Sequence, residues 1–400
     1  MAELYALRVD RARTGALLAW TWERSAAAVV LAEDATGSTA ARLLDQLAPA
    51  ALVEFGRDGR PRRQPLPDPV PIDDEVALVV TTSGSSGRPK GVELSRAAVQ
   101  ASVAASLRRL GARHGDRWGL ALPTHHVAGI TVHLRAAALG TEAVVATDTA
   151  AVADLDVEHL ALVPSQLDRL LTLGAPVARF TTILLGGAPA SDELLARADA
   201  AGARVVRSYG MTETVGGCVY DGLPLDDVEV AVGRTDQVIR LRGPVLFRGY
   251  RGRDRHGRVR SAPALDADGW FRTSDLGRWS DGRLEVLGRA DDVLVSGGEN
   301  VPLQAVVERL LSHPGVADAA VLPAADQRWG EVPVAVVVPR DPGAPPSLEQ
   351  LRTHVRREAP AAYAPGRLLV LPALPRDQMG KLSRSQLERL VAETRPSGGR

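Results

Sequence analysis

The chain has 400 residues, with 48 basic and 48 acidic side chains and a single cysteine, Cys218. This length predicts two or three domains, and the zero net charge gives no indication of an extended surface for nucleic acid or another polyanion. One cysteine excludes an internal disulfide framework and suits a reducing compartment. Neither a signal peptide nor an apolar run of about 18 residues is apparent, so we expect a cytoplasmic protein without a membrane span.

The first half of the chain changes pattern near residue 76. Residues 1–60 predict only a short helix near 40–47, and the Pro-rich residues 61–71 predict an extended connector. Apolar strands and amphipathic helices then alternate, which predicts a mostly parallel sheet with helices on both faces. Serines predict helix N-caps at Ser95, Ser165 and Ser191. The predicted strands are 76–82, 118–123, 142–146, 159–164, 181–187 and 204–209.

The second half predicts two smaller regions. Residues 219–288 contain short strand-like pieces with Gly- and Asp-rich turns and predict a β subdomain. After them, an apolar stripe predicts a helix, a Ser347/Gln350 capping box opens another, and residues 383–393 form the last. The stripe consists of Leu303, Val306, Val307, Leu310 and Leu311, and the predicted strands are 316–322, 332–338 and 368–371. We predict a large α/β N-terminal domain, 1–288, with a shortened first lobe in 1–75. A small mobile α+β C-terminal domain, 289–400, follows.

Residues 81–91, Thr-Thr-Ser-Gly-Ser-Ser-Gly-Arg-Pro-Lys-Gly, follow the first predicted strand of this sheet. We expect a loop between strand and helix, where backbone N–H groups and hydroxyls can surround a polyphosphate. Gly84 and Gly87 are too close together for the Walker loop, and Lys90 precedes Gly91 where that loop needs Ser or Thr. This spacing argues against a P-loop kinase but leaves a nucleotide as the natural ligand.

The chain contains only two lysines, Lys90 and Lys381, among its 48 basic residues. Both stand in glycine-containing loops. A compact ammonium on a flexible stem suits a single phosphate or carboxylate oxygen where the planar guanidinium would not fit. The alternative is chance survival of two lysines in an arginine-biased composition.

Five motifs together resemble the adenylate-forming superfamily, which comprises acyl- and aryl-CoA synthetases, luciferases and the adenylation domains of peptide synthetases. They are residues 81–91, 209–213, 268–275, 288–292 and 375–381, and the resemblance covers about residues 75–385. Residues 122–129 and 212–222 resemble more narrowly the o-succinylbenzoate–CoA ligases of menaquinone biosynthesis. The resemblance implies that a carboxylate attacks the α-phosphate of ATP, and that coenzyme A then displaces AMP from the acyl-adenylate.

The resemblance also implies a nucleotide site that uses ATP and Mg²⁺. Thr212 would bond the α-phosphate, and Glu213 would be the metal ligand, since Mg²⁺ prefers carboxylate and phosphate oxygen. Asp275 would accept hydrogen bonds from the ribose, with Arg289 nearby. The β- and γ-phosphates would be held by Thr81, Thr82, Ser83, Gly84, Ser85, Ser86, Gly87 and Lys90. The adenine would be flanked by Gly186, Gly187, Ala188, Tyr209, Gly210 and Met211.

Further residues are implied for the acid and for the chemistry. Lys381 would bridge the attacking carboxylate and the α-phosphate, and Asp291 occupies the hinge position of the family, where a capped turn is the alternative. His126, with His125 beside it, would border the acyl pocket and the thiol path, unless it is merely a packed histidine. Arg135 would bind a second carboxylate. Gly216 and Gly217 leave space for a flat aromatic acid.

Three functions remain open on this reading. The first is ligation of o-succinylbenzoate to CoA, and the second is ligation of another aryl or acyl acid. The third is a catalytically silent homologue that binds a nucleotide or a partner. The oligomeric state is left open between monomer and homodimer, and no nucleic acid or membrane partner is expected.

Overall fold

The computed structural model describes residues 1–33, 35, 37–83, 89–357, 359–376 and 382–393. The chain divides into two compact units, Met1–Val230 with Leu241–Phe271 and Ala231–Arg240 with Arg272–Arg400. The predicted domain boundary between residues 288 and 289 stays a prediction, because the compactness of the two units does not tell where one domain moves as a body. In the described ranges no helix is long and apolar enough to cross a bilayer.

The strands and helices have the following bounds. The strands are β1 (Leu4–Leu7), β2 (Ala27–Val30), β3 (Ala51–Phe55), β4 (Pro61–Pro65), β5 (Val76–Ser83), β6 (Pro89–Ser95), β7 (Trp118–Leu120), β8 (Val144–Val145), β9 (His159–Leu162), β10 (Thr182–Leu185), β11 (Val205–Met211), β12 (Gly216–Tyr220), β13 (Leu223–Pro224), β14 (Glu229–Val232), β15 (Val238–Arg242), β16 (Gly249–Arg253), β17 (Val259–Ala262), β18 (Phe271–Ser280), β19 (Arg283–Arg289), β20 (Val293–Ser296), β21 (Glu299–Pro302), β22 (Val316–Asp326), β23 (Gly330–Pro339) and β24 (Arg367–Val370). The helices are α1 (Thr14–Trp22), α2 (Gly37–Leu47), α3 (Arg96–Leu110), α4 (Val127–Ala138), α5 (Pro164–Thr172), α6 (Asp192–Ala200), α7 (Leu303–Leu311), α8 (Leu348–Arg356) and α9 (Arg384–Glu393).

The first unit contains an eight-stranded sheet in the order β17-β16-β6-β5-β2-β1-β3-β4. Strands β5, β2, β1 and β3 run parallel, and the remaining pairs are antiparallel, so this sheet is mixed and not mostly parallel. The prediction of only a short helix in residues 1–60 was wrong, because strands β1, β2 and β3 and helix α1 also lie there. The strands β1 and β2 are four-residue runs buried along their whole length, which gives no alternation to detect. The predicted connector at 61–71 begins as strand β4, paired with β3.

A second sheet of the first unit has the order β13-β12-β11-β10-β9-β7-β8, with β8, β7, β9, β10 and β11 parallel. The five strands predicted between residues 118 and 209 are confirmed here. Ser95 and Ser191 cap α3 and α6 through hydrogen bonds from Ala98 N and Leu194 N. The predicted cap at Ser165 was wrong: α5 begins at Pro164, whose fixed φ suits the first helical position, and Gln166 bonds back to Val163 N.

The second unit contains a five-stranded sheet in which β21-β20-β23-β22 form a path and β24 pairs with β23. The predicted stripe of α7 is confirmed, since Leu303, Val306 and Leu310 are buried in its core. Ser347 and Gln350 form the predicted capping box of α8. The predicted β-rich character of residues 219–288 is confirmed too, and β18 and β19 form an antiparallel pair within a four-stranded sheet of order β14-β15-β18-β19.

Candidate active site

The described residues of the threonine- and glycine-rich motif lie on two antiparallel strands. Strands β5 and β6 pair antiparallel, with Thr81 opposite Gly91 and Thr82 opposite Lys90. The expected strand-to-helix loop was therefore wrong, because residues 89–95 are long enough to form a strand whose Val92 and Leu94 are fully buried. The predicted Gly84, Ser85, Ser86 and Gly87 lie outside the described residues, and Ser83 is described only as the end of β5.

Lys90 and Glu213 are joined through Tyr250. The exposed Lys90 places its Nζ 5.3 Å from the centroid of the Tyr250 ring, within the range of a cation–π contact. The Tyr250 hydroxyl donates to Glu213 Oε1 at 2.8 Å. Burial, followed by the charge of Glu213, raises the pKa of Tyr250 above its ordinary value, so the phenol stays a proton donor throughout the neutral range. Tyr250 was not predicted from the sequence, and it reaches this position because β16 pairs with β6.

Glu213 belongs to a tight turn at the end of β11. Residues Thr212–Thr214 form a 3₁₀ turn, in which the Thr214 hydroxyl accepts from Met211 N at 3.0 Å. The Glu213 carbonyl accepts from Phe247 N at 2.9 Å, so the turn is fixed on both sides. A Cβ at Gly210 would lie 2.0 Å from the Gly216 carbonyl oxygen, and only glycine fits there. Thr212 and Glu213 thus stand at the carboxyl end of a parallel strand, where ligands of such sheets bind.

The Glu213 carboxylate fits Mg²⁺ in chemistry. It is a hard oxygen ligand held by a neutral donor, and Mg²⁺ is commonly bound by one or two carboxylates together with substrate phosphates. Residues 89–357 and the other described ranges contain no group of three side chains that could hold a metal by themselves. A metal here would therefore share its coordination with a bound phosphate.

The two histidines stand where β7 leads into α4. The rings of His125 and His126 lie 4.1 Å apart between centroids, and His126 is the residue before the helix. A Cβ at Gly129 would lie 2.2 Å from the Pro123 carbonyl oxygen, so glycine allows the turn to close onto the helix. Thr124 is buried and forms a 2.9 Å hydroxyl–hydroxyl hydrogen bond with Thr14 of α1. The N-terminal helix thereby supports this turn.

Arg135 is buried on α4, with 3% of its surface exposed. Its Nε donates to Ser106 Oγ at 3.0 Å and its Nη1 to Thr131 Oγ1 at 3.3 Å. Its Cζ lies 5.1 Å from the centroid of the Trp118 ring. No carboxylate in the described part of the chain forms an ion pair with Arg135. A buried cation is normally paired, so this guanidinium is suited to receive an anionic ligand.

The remaining predicted residues are placed as follows. Gly186 stands one residue beyond β10, and Gly187 has a φ of +83° that favours glycine. Tyr209, Gly210 and Met211 form the end of β11. A Cβ at Gly217 would lie 2.0 Å from Ser208 Oγ, so only glycine fits there, and the predicted space for an aromatic acid stays a prediction. A Cβ at Gly216 would lie 3.9 Å from Thr131 Cγ2.

In the second unit, Asp275 and Arg289 are brought together as partners in the β18–β19 pairing. Arg289 Nη1 lies 3.6 Å from Asp275 Oδ1. The predicted hinge residue Asp291 falls in the 3₁₀ turn Ala290–Asp292. Lys381 lies outside the described residues, and its role stays a prediction.

A known protein family and a known bacterial protein are similar to this chain over most of its length. Residues 6–249 match the AMP-binding enzyme family and residues 307–381 its C-terminal domain. The probable 2-succinylbenzoate–CoA ligase of Mycobacterium tuberculosis (strain H37Rv) is 42% identical over 344 residues, which cover 80% of this chain and 86% of the relative.

Solved structures of one bacterial enzyme are also similar. The o-succinylbenzoate CoA synthetase of Bacillus subtilis, in complex with the acyl-adenylate intermediate OSB-AMP, has a TM-score of 0.80 and 28% identity, over 96% of this chain and 88% of that one. Its complex with ATP and a magnesium ion has a TM-score of 0.81 and 26% identity, over 97% and 89% of the two chains.

Proposed function

Since the chain belongs to the AMP-binding enzyme family, we propose that it joins 2-succinylbenzoate to coenzyme A with ATP, by way of an acyl-adenylate. This is the ligation that the resemblance to the enzymes of menaquinone biosynthesis implies. The observation that carries the choice of acid is Arg135, a buried guanidinium without a carboxylate partner among the described residues. A dicarboxylic acid can present one carboxylate to ATP and the other to Arg135, whose fork matches carboxylate geometry.

In the proposed adenylation step, the β5–β6 hairpin binds the triphosphate. Lys90, the second residue of β6, contacts the β- and γ-phosphates. Thr81, Thr82 and the residues that follow them supply hydroxyls and N–H groups. Thr212 bonds the α-phosphate. Mg²⁺ at Glu213 would neutralise charge on the phosphates, which favours attack by a carboxylate that is itself an anion. Tyr250 holds the Glu213 carboxylate in position for it.

The other assignments in this proposal follow the family. Gly186, Gly187, Ala188 and Tyr209 flank the adenine, and Asp275 with Arg289 binds the ribose. His125 and His126 line the acid and thiol path. Lys381 stabilises the charge that develops between carboxylate and α-phosphate. Asp291 serves as the hinge between adenylation and thioester formation, so Asp291→Pro should impair one half-reaction more than the other. We propose the cytoplasm as location, where Cys218 stays reduced.

The test is ATP-dependent pyrophosphate release and CoA thioester formation with 2-succinylbenzoate, benzoate and a medium-chain fatty acid. We expect kcat/KM for 2-succinylbenzoate to exceed both others, and Arg135→Ala to raise its KM. A higher kcat/KM for either monocarboxylate would replace the proposed acid by that class. Failure to form an adenylate from any of the three would favour a silent homologue.

A further inference from the structure

The guanidinium of Arg135 is held on one edge and open on another. Arg carries five N–H donors, and a carboxylate can approach either the edge formed by Nε and one Nη or the edge formed by Nη1 and Nη2. Ser106 takes the Nε donor, and Thr131 takes one donor of Nη1. Within the described residues, Nη2 makes no hydrogen bond. The Nε edge is therefore engaged by protein, while the Nη1–Nη2 edge retains donors for a ligand.

The acceptor of the Nε donor is itself fixed. Ser106 is fully buried on α3, and its Oγ lies 2.7 Å from the Tyr220 hydroxyl, which is 1% exposed on β12. The Oγ of a serine can occupy any of three staggered χ1 rotamers, and its hydrogen bonds favour one of them. Tyr220 provides one of these hydrogen bonds, so the position of Ser106 Oγ is set from two sides.

The face of the guanidinium is fixed as well. It lies over the ring of Trp118, which is fully buried and stacks on His159 with centroids 5.0 Å apart and planes 28° apart. Trp118 and His159 are partners across the β7–β9 pairing, and His159 Nε2 contacts Asp116 Oδ2 at 3.1 Å. Neither ring can turn without breaking this stack. Arg135 thus has a fixed face in addition to a fixed edge.

We infer that Ser106, Tyr220 and Trp118 are positioning residues that fix Arg135 so that its Nη1–Nη2 edge binds the second carboxylate of the acid end-on. The inference rests on the proposed function. It assigns selectivity for a dicarboxylic acid partly to three residues that do not touch it. If these residues only filled the core, their substitution would affect all acids alike.

The experiment measures KM and kcat of adenylate formation for Ser106→Ala, Tyr220→Phe and Trp118→Phe, each also combined with Arg135→Ala. The acids are 2-succinylbenzoate and 4-oxo-4-phenylbutanoate, which lacks the ring carboxylate. Ser102→Ala is the matched control, because Ser102 is a buried serine one turn earlier on α3 whose hydroxyl bonds to the Val215 carbonyl. Thermal unfolding of each variant identifies any that fails to fold.

We expect Ser106→Ala to raise KM for 2-succinylbenzoate about tenfold, since it removes a hydrogen bond to a charged group. Tyr220→Phe and Trp118→Phe should raise the same KM about two- to fivefold, because the first removes a neutral hydrogen bond and the second weakens a cation–π contact. The KM for ATP, the values for the monocarboxylate and those of Ser102→Ala should stay near wild type. In the Arg135→Ala background the three substitutions should add nothing, because they act through Arg135. Equal losses for both acids, or full additivity with Arg135→Ala, would overturn the inference. An inactive wild type would instead reject the proposed function, and the inference with it.

Discussion

Tyr250 donates a 2.8 Å hydrogen bond from its hydroxyl to Oε1 of Glu213, a residue 37 positions away in the chain. The same phenol ring carries the ammonium of Lys90 on its face. One side chain therefore contacts both the proposed metal ligand and the proposed phosphate ligand.

Removing the Tyr250 hydroxyl should lower the affinity for Mg²⁺. Partners that orient a metal ligand typically contribute about tenfold or more in metal affinity, so Tyr250→Phe should raise the Mg²⁺ concentration for half-maximal ATP–pyrophosphate exchange by about tenfold. The KM for the acid should not change. Tyr5→Phe is the matched control, because Tyr5 donates to Glu3 in the same way at 2.7 Å. An unchanged Mg²⁺ requirement in Tyr250→Phe would argue that Glu213 does not bind the metal.

Substitution of Lys90 should act on ATP and spare the acid. A charged hydrogen bond to phosphate is worth about 10- to 100-fold, and we expect Lys90→Ala to raise the KM for ATP by such a factor. Arg96→Ala provides the comparison, since the Arg96 guanidinium lies over the Trp22 ring at the same 5.3 Å distance. Steady-state kinetics with ATP and acid varied separately will distinguish the two. If Lys90→Ala changed the KM for the acid more than the KM for ATP, Lys90 would not be a phosphate ligand.

Lys381 should be required for one half-reaction alone. Loss of a donor aimed at charge that develops in the transition state costs about a thousandfold in rate, and we expect Lys381→Ala to lose adenylate formation by that factor. Thioester formation from synthetic acyl-AMP and CoA should proceed nearly as in wild type. The second reaction serves as the internal control for folding. Wild-type ATP–pyrophosphate exchange in Lys381→Ala would refute the assignment.

Acid should weaken the packing of α4 against the turn Arg11–Arg13, which precedes α1, through His133 of α4. This side chain is buried, and its Nε2 lies 2.9 Å from the Arg11 carbonyl oxygen. Burial lowers the pKa of His133 below its ordinary value, so the unfolded chain binds a proton first as the pH falls. The stability that neutral His133 contributes is present above the ordinary histidine pKa and is lost as the pH falls through the lowered value.

We therefore expect the urea midpoint of the wild type to fall more steeply between pH 7.5 and 5 than that of His133→Gln, which cannot titrate. Circular dichroism at each pH measures both midpoints. Parallel curves for the two proteins would show that His133 does not carry the effect.

Local patterns predicted much of the fold. Ser95, Ser191 and the Ser347/Gln350 pair cap helices as predicted, because a cap depends on three or four neighbouring residues. The strands β1 and β2 were missed, because a short run buried on both faces has no period. The hairpin of β5 and β6 was missed since pairing partners cannot be read from either strand alone.

In the candidate site too, some residues were predicted from the sequence and others were not. Glu213, Lys90 and Arg135 were predicted on motifs or on resemblance, and the structure gives each a defined environment. Tyr250 lies outside the motifs, and Tyr220 lies within residues 212–222 but was given no role from the sequence. They enter the site only through the pairing of β16 with β6 and the packing of α3 beside β12. Contacts between residues about a hundred positions apart, such as Ser106 and Tyr220, leave no mark on a single sequence.

Strand β4 ends the eight-stranded sheet on one side, and its composition bears on how the protein behaves in concentrated solution. Pro61 and Pro65 offer no N–H to an incoming strand, and the exposed Arg62 and Arg63 place positive charge along the same border. Edge-to-edge addition of a second molecule, the first step of a cross-β aggregate, is thereby discouraged here. A fusion domain could be attached near this edge strand without promoting strand pairing, provided that both prolines are kept.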